Sequence, residues 1–164
     1  MQDFREIFSD KDHYEKPFPL TLADVTEKAI ADTEKAIGYT IPPSYLEFVR
    51  TQNGGHVKKE LDSWVNTFYG ITEDLDQAYS LASLWSLLVN EWEYPSDIGF
   101  PFADTQSGGH DAYFFDFRKI DEKGEPAVIR IDNELDNAQY HVAKNFNDFL
   151  SLVCLNGNLQ GTRM

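Results

Sequence analysis

The segment Asp104-Thr105-Gln106-Ser107-Gly108-Gly109-His110-Asp111 gathers two carboxylates, an imidazole and two hydroxyls on one glycine-containing loop. Side chains of these types perform acid–base chemistry or hold a metal when they converge. A nucleophile, however, needs its base within hydrogen-bond reach, and nothing in the spacing forces Ser107 toward His110 or His141. Adjacent glycines are also what a tight turn demands. The loop therefore reads better as a hairpin connection whose polar side chains satisfy its own backbone.

Elsewhere the chemistry-bearing residues are scattered. There is no Gly-x-x-x-x-Gly-Lys-Ser/Thr phosphate loop, no His-Glu-x-x-His pair and no Gly-x-Ser-x-Gly elbow, so no catalytic residue, metal or cofactor is expected. His13, His56, His110 and His141 stand singly, and Cys154 is the only cysteine, which excludes an internal disulfide and a cysteine-based metal cluster. Its simplest role is that of a small apolar residue on the inner face of the last helix. Acidic pairs such as Glu73-Asp74, Asp121-Glu122 and Glu134 with Asp136 lie in connections, where solvated charge is the ordinary state. Among the large aromatics Trp64, Phe68, Tyr69, Trp85 and Trp92, most should pack in the core. Trp92, flanked by Glu91 and Glu93 near a helix end, is the first to expect at the surface.

The 164 residues suit one domain with a substantial core, to which twelve phenylalanines bring aromatic bulk. Twenty-eight acidic side chains against fourteen basic ones give a net charge of −14. Such a chain repels phosphate backbones, which argues against direct nucleic-acid binding, and attracts a basic protein partner. The same charge also serves solubility. No apolar run approaches the roughly 20 residues that span a bilayer, and the Met1-Gln2-Asp3-Phe4-Arg5-Glu6 start lacks a basic, then apolar, signal pattern. These features lead us to expect a cytoplasmic protein without a membrane partner.

Residues 1–20 read as an arm with Pro17 and Pro19 near its end, residues 21–155 as the core, and residues 156–164 as a fraying tail. A first helix is expected from Thr21, with Thr21 and Asp24 at capping-box spacing, to a stop at Gly38. Residues 64–71 read as a strand paired with the stretch after Gly55, and the mixed spacing of apolar residues in Tyr79–Glu93 predicts a buried-face helix ended by Pro95. Four further strands, Gly99–Ala103, Ala112–Phe117, Ala127–Ile131 and Gln139–Val142, are separated by turns short enough for antiparallel neighbours. Asn145 caps a last helix carrying Phe146, Phe149, Leu150 and Val153. This order predicts an α+β fold in a single domain, a mostly antiparallel bent sheet flanked by helices.

The best delimited stretch is Ile41-Pro42-Pro43-Ser44-Tyr45-Leu46-Glu47-Phe48-Val49-Arg50-Thr51-Gln52-Asn53-Gly54-Gly55. Prolines favour a helix start near Ser44, Tyr45, Phe48 and Val49 share one face, and Asn53-Gly54-Gly55 tolerate the positive φ of an exit turn. The run resembles the Ile-Pro-x-Ser-Tyr-x-x-Phe helix closed by Asn-Gly-Gly that marks the SUKH (Smi1/Knr4-like) superfamily. Ile98 to Ala103, the Gly108-Gly109-His110-Asp111 loop with Tyr113 to Phe117, and Gly124 to Val128 are similar to that family's strands. Phe146-Asn147-Asp148-Phe149-Leu150 resembles its closing helix, with Asn145 where a serine is usual.

The resemblance implies the same sheet architecture, with Pro43, Tyr45, Phe48, Asn53, Gly54 and Gly55 preserving the fold. It also implies a non-catalytic role. Bacterial members act as immunity proteins that bind a cognate toxin, frequently a nuclease, whereas eukaryotic relatives are linked to cell-wall assembly and signalling. Joined to the acidic charge, it leads us to expect a toxin with a basic surface, met by Glu73, Asp74, Asp97, Asp104 and Asp111 and by the aromatic Trp92.

Overall fold

The computed structural model describes residues 4–9 and 22–164. Most of the expected arm and Thr21 lie outside them. The chain is a single α+β domain. Its elements are α1 (Glu27–Ile37), α2 (Pro43–Thr51), β1 (Gly55–His56), β2 (Val65–Phe68), α3 (Leu81–Trp85), β3 (Pro101–Thr105), β4 (Asp111–Ile120), β5 (Pro126–Asp132), β6 (Ala138–Ala143), α4 (Phe146–Cys154) and β7 (Thr162–Arg163). The strands form one sheet in chain order, β1 to β7, and every neighbouring pair is antiparallel. Register shifts interrupt four of those pairings, between β2 and β3, β3 and β4, β4 and β5, and β5 and β6. Such bulges bend strands and increase their twist.

Helix α1 starts later than expected. Thr26, not Thr21, is its cap: the Thr26 hydroxyl accepts from Ala29 N at 3.0 Å. The preceding backbone is committed elsewhere, since Leu22 N donates to Asn53 O and Ala23 O accepts from Asn53 Nδ2 at 2.7 Å. Gly38 ends the helix as predicted, with φ +81° and its N–H donated to Glu34 O.

Helix α2 starts at Pro43 and buries Tyr45, Phe48 and Val49. Its free first-turn donors are met from far along the chain: Ser44 N and Ser44 Oγ both donate to the Glu125 carboxylate, at 3.2 and 2.7 Å. At its exit Asn53 works as a staple. Its amide donates to Ala23 O and Ile71 O, and its side-chain oxygen accepts from Ile71 N at 2.7 Å. Gly54 has φ +87° and its backbone runs so close to β2 that a Cβ there would lie 3.2 Å from Phe68 O.

Apolar residues fill both faces of the sheet. On one face Tyr45, Phe48, Phe102, Phe115, Phe146 and Phe149 form an aromatic core under α2 and α4, with Phe102 and Phe115 stacked at 4.3 Å between centroids. On the other, Leu84, Leu88, Tyr94 and Ile98 cover Ala112, Phe114, Ile129 and Ile131, and Tyr94 stacks on Phe114. Alternation along β4 sends Tyr113 and Phe115 to the first face and Ala112 and Phe114 to the second. Trp64, Tyr69 and Trp85 pack against the core and Phe68 is fully buried within it.

Two further expectations are corrected. The helix predicted over 79–93 is α-helical only for Leu81–Trp85 and then widens into a π turn, Ser86–Glu91, which leaves Leu88 on the sheet while Leu87 and Trp92 are exposed. The tail over 156–164 does not fray. Leu159 is buried, its carbonyl accepts from Tyr113 Oη at 2.6 Å, and β7 pairs with β6. No helix among the described residues is long and apolar enough to cross a membrane.

Candidate binding surface

Residues 106–110 connect β3 to β4, as the glycines predicted, and their side chains face in two directions. Asp111, at the start of β4, turns inward and is 3% exposed. Its Oδ1 accepts from Ser107 Oγ at 2.6 Å and from Thr105 Oγ1; its Oδ2 accepts from Trp64 Nε1 at 2.9 Å and from Arg130 at 3.0 Å. Arg130 itself is buried, donates through Nε to Gln160 O and lies 4.1 Å over the Tyr140 ring. Burial alone would raise the Asp111 pKa, but the bonds from Ser107, Thr105, Trp64 and Arg130 outweigh it and hold the group below the usual carboxylate range.

Asp104 is also turned in. It joins β2 to β3 by accepting from Thr67 N at 2.9 Å and from Tyr69 Oη at 2.8 Å. Burial pushes its pKa up against the lowering effect of those bonds.

This geometry leaves no nucleophile and base in line. The Ser107 hydroxyl donates to Asp111 and accepts from the amides of His110 and Asp111. The His110 ring points the other way, with Nδ1 2.9 Å from the Glu134 carboxylate. Among the described residues no group of three or more His, Cys, Asp or Glu side chains is placed to hold a metal ion. Asp104 and Asp111, expected to face a partner, instead brace the loop and the strands behind it. The missing signal was Arg130: a lone cation inside the apolar run Ala127–Ile131 calls for a buried anion.

The other four expected binding residues are exposed but do not converge. Glu73 and Asp74 sit in a turn beside the N-terminus of α1, where Glu73 accepts from Thr26 Oγ1 at 2.9 Å. Asp97 lies on the side of Tyr39 and Arg118: burial raises the Tyr39 pKa and the hydrogen bond to Asp116 raises that of Arg118, and the Asp97 charge adds to both. Trp92 sits at the opposite end of the wide turn, at 41% exposure, over the loop between β3 and β4.

Several elements position Trp92. A Cβ on Gly109, whose φ is +106°, would fall 2.3 Å from Trp92 Cζ3, so the ring rests on a place that only glycine leaves open. Tyr94 Oη donates to Gly109 O at 2.9 Å, Asn133 Nδ2 to Trp92 O and Asn137 Nδ2 to Glu93 O, both at 3.3 Å. The turn between β5 and β6 is thereby tied to Trp92 and Glu93, and it carries Leu135, which is exposed, between the two asparagines. Glu91, Glu93, Glu134 and Asp136 are exposed around this patch.

No curated protein matches the sequence. The family model described as SMI1 / KNR4 family (SUKH-1) matches residues 24–152, from the lead-in to α1 to the last turn of α4. The signature helix, Asn53 and strands β1 to β6 lie within that span, and the chain belongs to the SMI1/KNR4 (SUKH-1) family.

Proposed function

We propose that this chain is a non-catalytic protein-binding module of the immunity type, which binds a cognate toxin with a basic surface one to one and neutralises it. The observation that carries this reading is Trp92, a large aromatic left exposed among carboxylates on a chain of net charge −14. Large aromatics supply most of the energy of protein interfaces, and an acidic surround steers a basic partner toward them. The polar loop that most resembles a catalytic centre supports it too, because its serine, threonine and buried carboxylate bind one another. Glu73, Asp74 and Asp97 add to the long-range attraction. The role places the protein in the cytoplasm of the cell that it protects.

The test is co-purification with the product of a neighbouring toxin-like gene, combined with rescue of growth when that toxin is expressed in the cytoplasm. Tight one-to-one binding with rescue is expected, and the association rate should fall about tenfold or more between low and high salt. No binding and no rescue would sink the immunity reading and favour a regulatory module. Turnover of a substrate that is lost in His110→Ala while the fold survives would instead make the protein an enzyme.

A further inference from the structure

We infer that the partner docks on one face, the Leu87–Trp92–Leu135 patch, and presents arginine side chains to it. The inference rests on the protein-binding reading above and adds where the partner sits and what chemistry it brings. Three of the six exposed large apolar side chains among the described residues lie here: Leu87 at 37%, Trp92 at 41% and Leu135 at 52%. Trp92 N donates to Leu87 O, and the two asparagine clamps tie the turn that carries Leu135 to the backbone of Trp92 and Glu93, so the three exposed side chains come from segments bonded to one another. Apolar groups gathered at a polar rim mark an interaction site, where scattered ones would not.

The rim has one sign. Residues 86–95, 104–111 and 132–137, which build this end of the molecule, contain Glu91, Glu93, Asp104, Asp111, Asp132, Glu134 and Asp136 and not one lysine or arginine. Asp104 and Asp111 are bound internally and Asp132 lies 3.8 Å from Arg130, which leaves Glu91, Glu93, Glu134 and Asp136 to face a partner. The His110 ring nitrogen lies 2.9 Å from one of them, Glu134.

The backbone is held in shape as well. Among the described residues, three of the six non-glycine positions with positive φ lie in this patch, Glu93 at +61°, Asp136 at +54° and Asn137 at +58°. Backbone strain of this kind persists where surrounding contacts over-determine it, and it concentrates at functional positions.

Arginine fits this surface better than lysine. Its planar guanidinium stacks on an indole and reaches a carboxylate through two donors at once, and Trp92 with Glu93 and Glu134 offers both partners. A second copy does not fit, because a two-fold contact would set these carboxylates against themselves. Nucleic acid is repelled by the same charge.

The experiment is a titration of the ¹⁵N-labelled full chain with a synthetic peptide of alternating arginine and glycine, followed by NMR. Peptides with lysine or glutamate in place of arginine serve as controls. The indole resonance of Trp92 is the one that disappears in Trp92→Phe. It should shift most, together with the Gly109 and Asn133 amides, while Trp64 and Trp85 stay still. Trp92→Ala should weaken binding about tenfold or more, and Glu93→Gln and Glu134→Gln about threefold each. The glutamine variants leave the Trp92 packing intact, so a folding defect in Trp92→Ala would not shield the inference. Shifts centred on Glu73 and Asp74, shifts spread evenly over the surface, or no shifts at all would overturn it. A toxin rescued equally well by wild type and by the Trp92→Ala/Glu93→Gln/Glu134→Gln protein would overturn this face and leave the immunity reading standing. Peptide binding at Trp92 without any rescue would do the reverse.

Discussion

Asp111 and Trp92 lie on either side of the Gly109–His110 dipeptide and differ in almost every physical respect. Asp111 is buried, ionised and satisfied by four side chains from two strands and two connections; Trp92 is half exposed, with its ring on Gly109 and its acidic neighbours in water. The first region fixes the loop in place, and the second uses that fixed loop as a floor. A carboxylate is thus a structural part where it meets Arg130 and Trp64, and an exposed charge beside Trp92, where the chain leaves it to solvent. Residue type does not separate the two roles; burial does.

The comparison breaks first at Asp111. Asp111→Asn leaves Arg130, whose side chain is 8% exposed, with only the longer 3.8 Å contact to Asp132, and should destabilise the fold by about 3 kcal/mol in urea unfolding. A loss below about 1 kcal/mol would mean that water or Asp132 suffices for Arg130, and that the loop needs no buried anchor.

Acid should reveal the same anchor. The folded-state pKa of Asp111 lies below its ordinary value of 3.8, so its stabilisation is complete above that value and is lost as pH falls through the lower folded one. The stability gap between wild type and Asp111→Asn should therefore be constant from pH 7 to about 5 and close below about pH 4. A gap that closes between pH 7 and 5 would assign the effect to another group.

Asp104 carries the opposite sign. Its pKa is raised by burial, so its charge opposes folding at neutral pH, and protonation on acidification stabilises the native state between the folded and the unfolded pKa. Asp104→Asn keeps an oxygen for Thr67 N and should cost about 1 kcal/mol or less, several-fold less than Asp111→Asn. Equal losses at the two sites would erase the distinction between a carboxylate paired with a buried cation and one held by neutral donors alone.

The surface region should be nearly silent in stability. Trp92→Ala is expected to shift unfolding by about 1 kcal/mol and Glu134→Gln by about 0.5 kcal/mol or less. A large loss in Trp92→Ala would turn Trp92 from a binding anchor into a lid on Gly109.

Much of the fold was legible because it rests on local rules. The prolines before Ser44, the glycine at 38, the Asn145 cap and the alternation of Tyr113 to Phe117 each act within a few residues, and each appears where the chain predicts. The start of α1 was misplaced because its cap competes with Asn53, thirty residues away from Ala23. The candidate site was legible in one residue, Trp92, whose acidic neighbours in sequence are also its neighbours in space. It was illegible at Asp104 and Asp111, where the deciding partners, Tyr69 and Trp64 at the two ends of β2 and Arg130 on β5, come from distant parts of the sequence.

Composition and periodicity by themselves determined the α+β class, the signature helix, the acidic charge and the exposure of one tryptophan, since propensity, capping and net charge are properties of short stretches or of the whole chain. The tertiary structure alone decided which carboxylates face inward, that the tail closes the sheet edge, and that Leu135 joins Trp92 in one patch. Each of these depends on strand register, and register depends on every contact of the folded sheet at once.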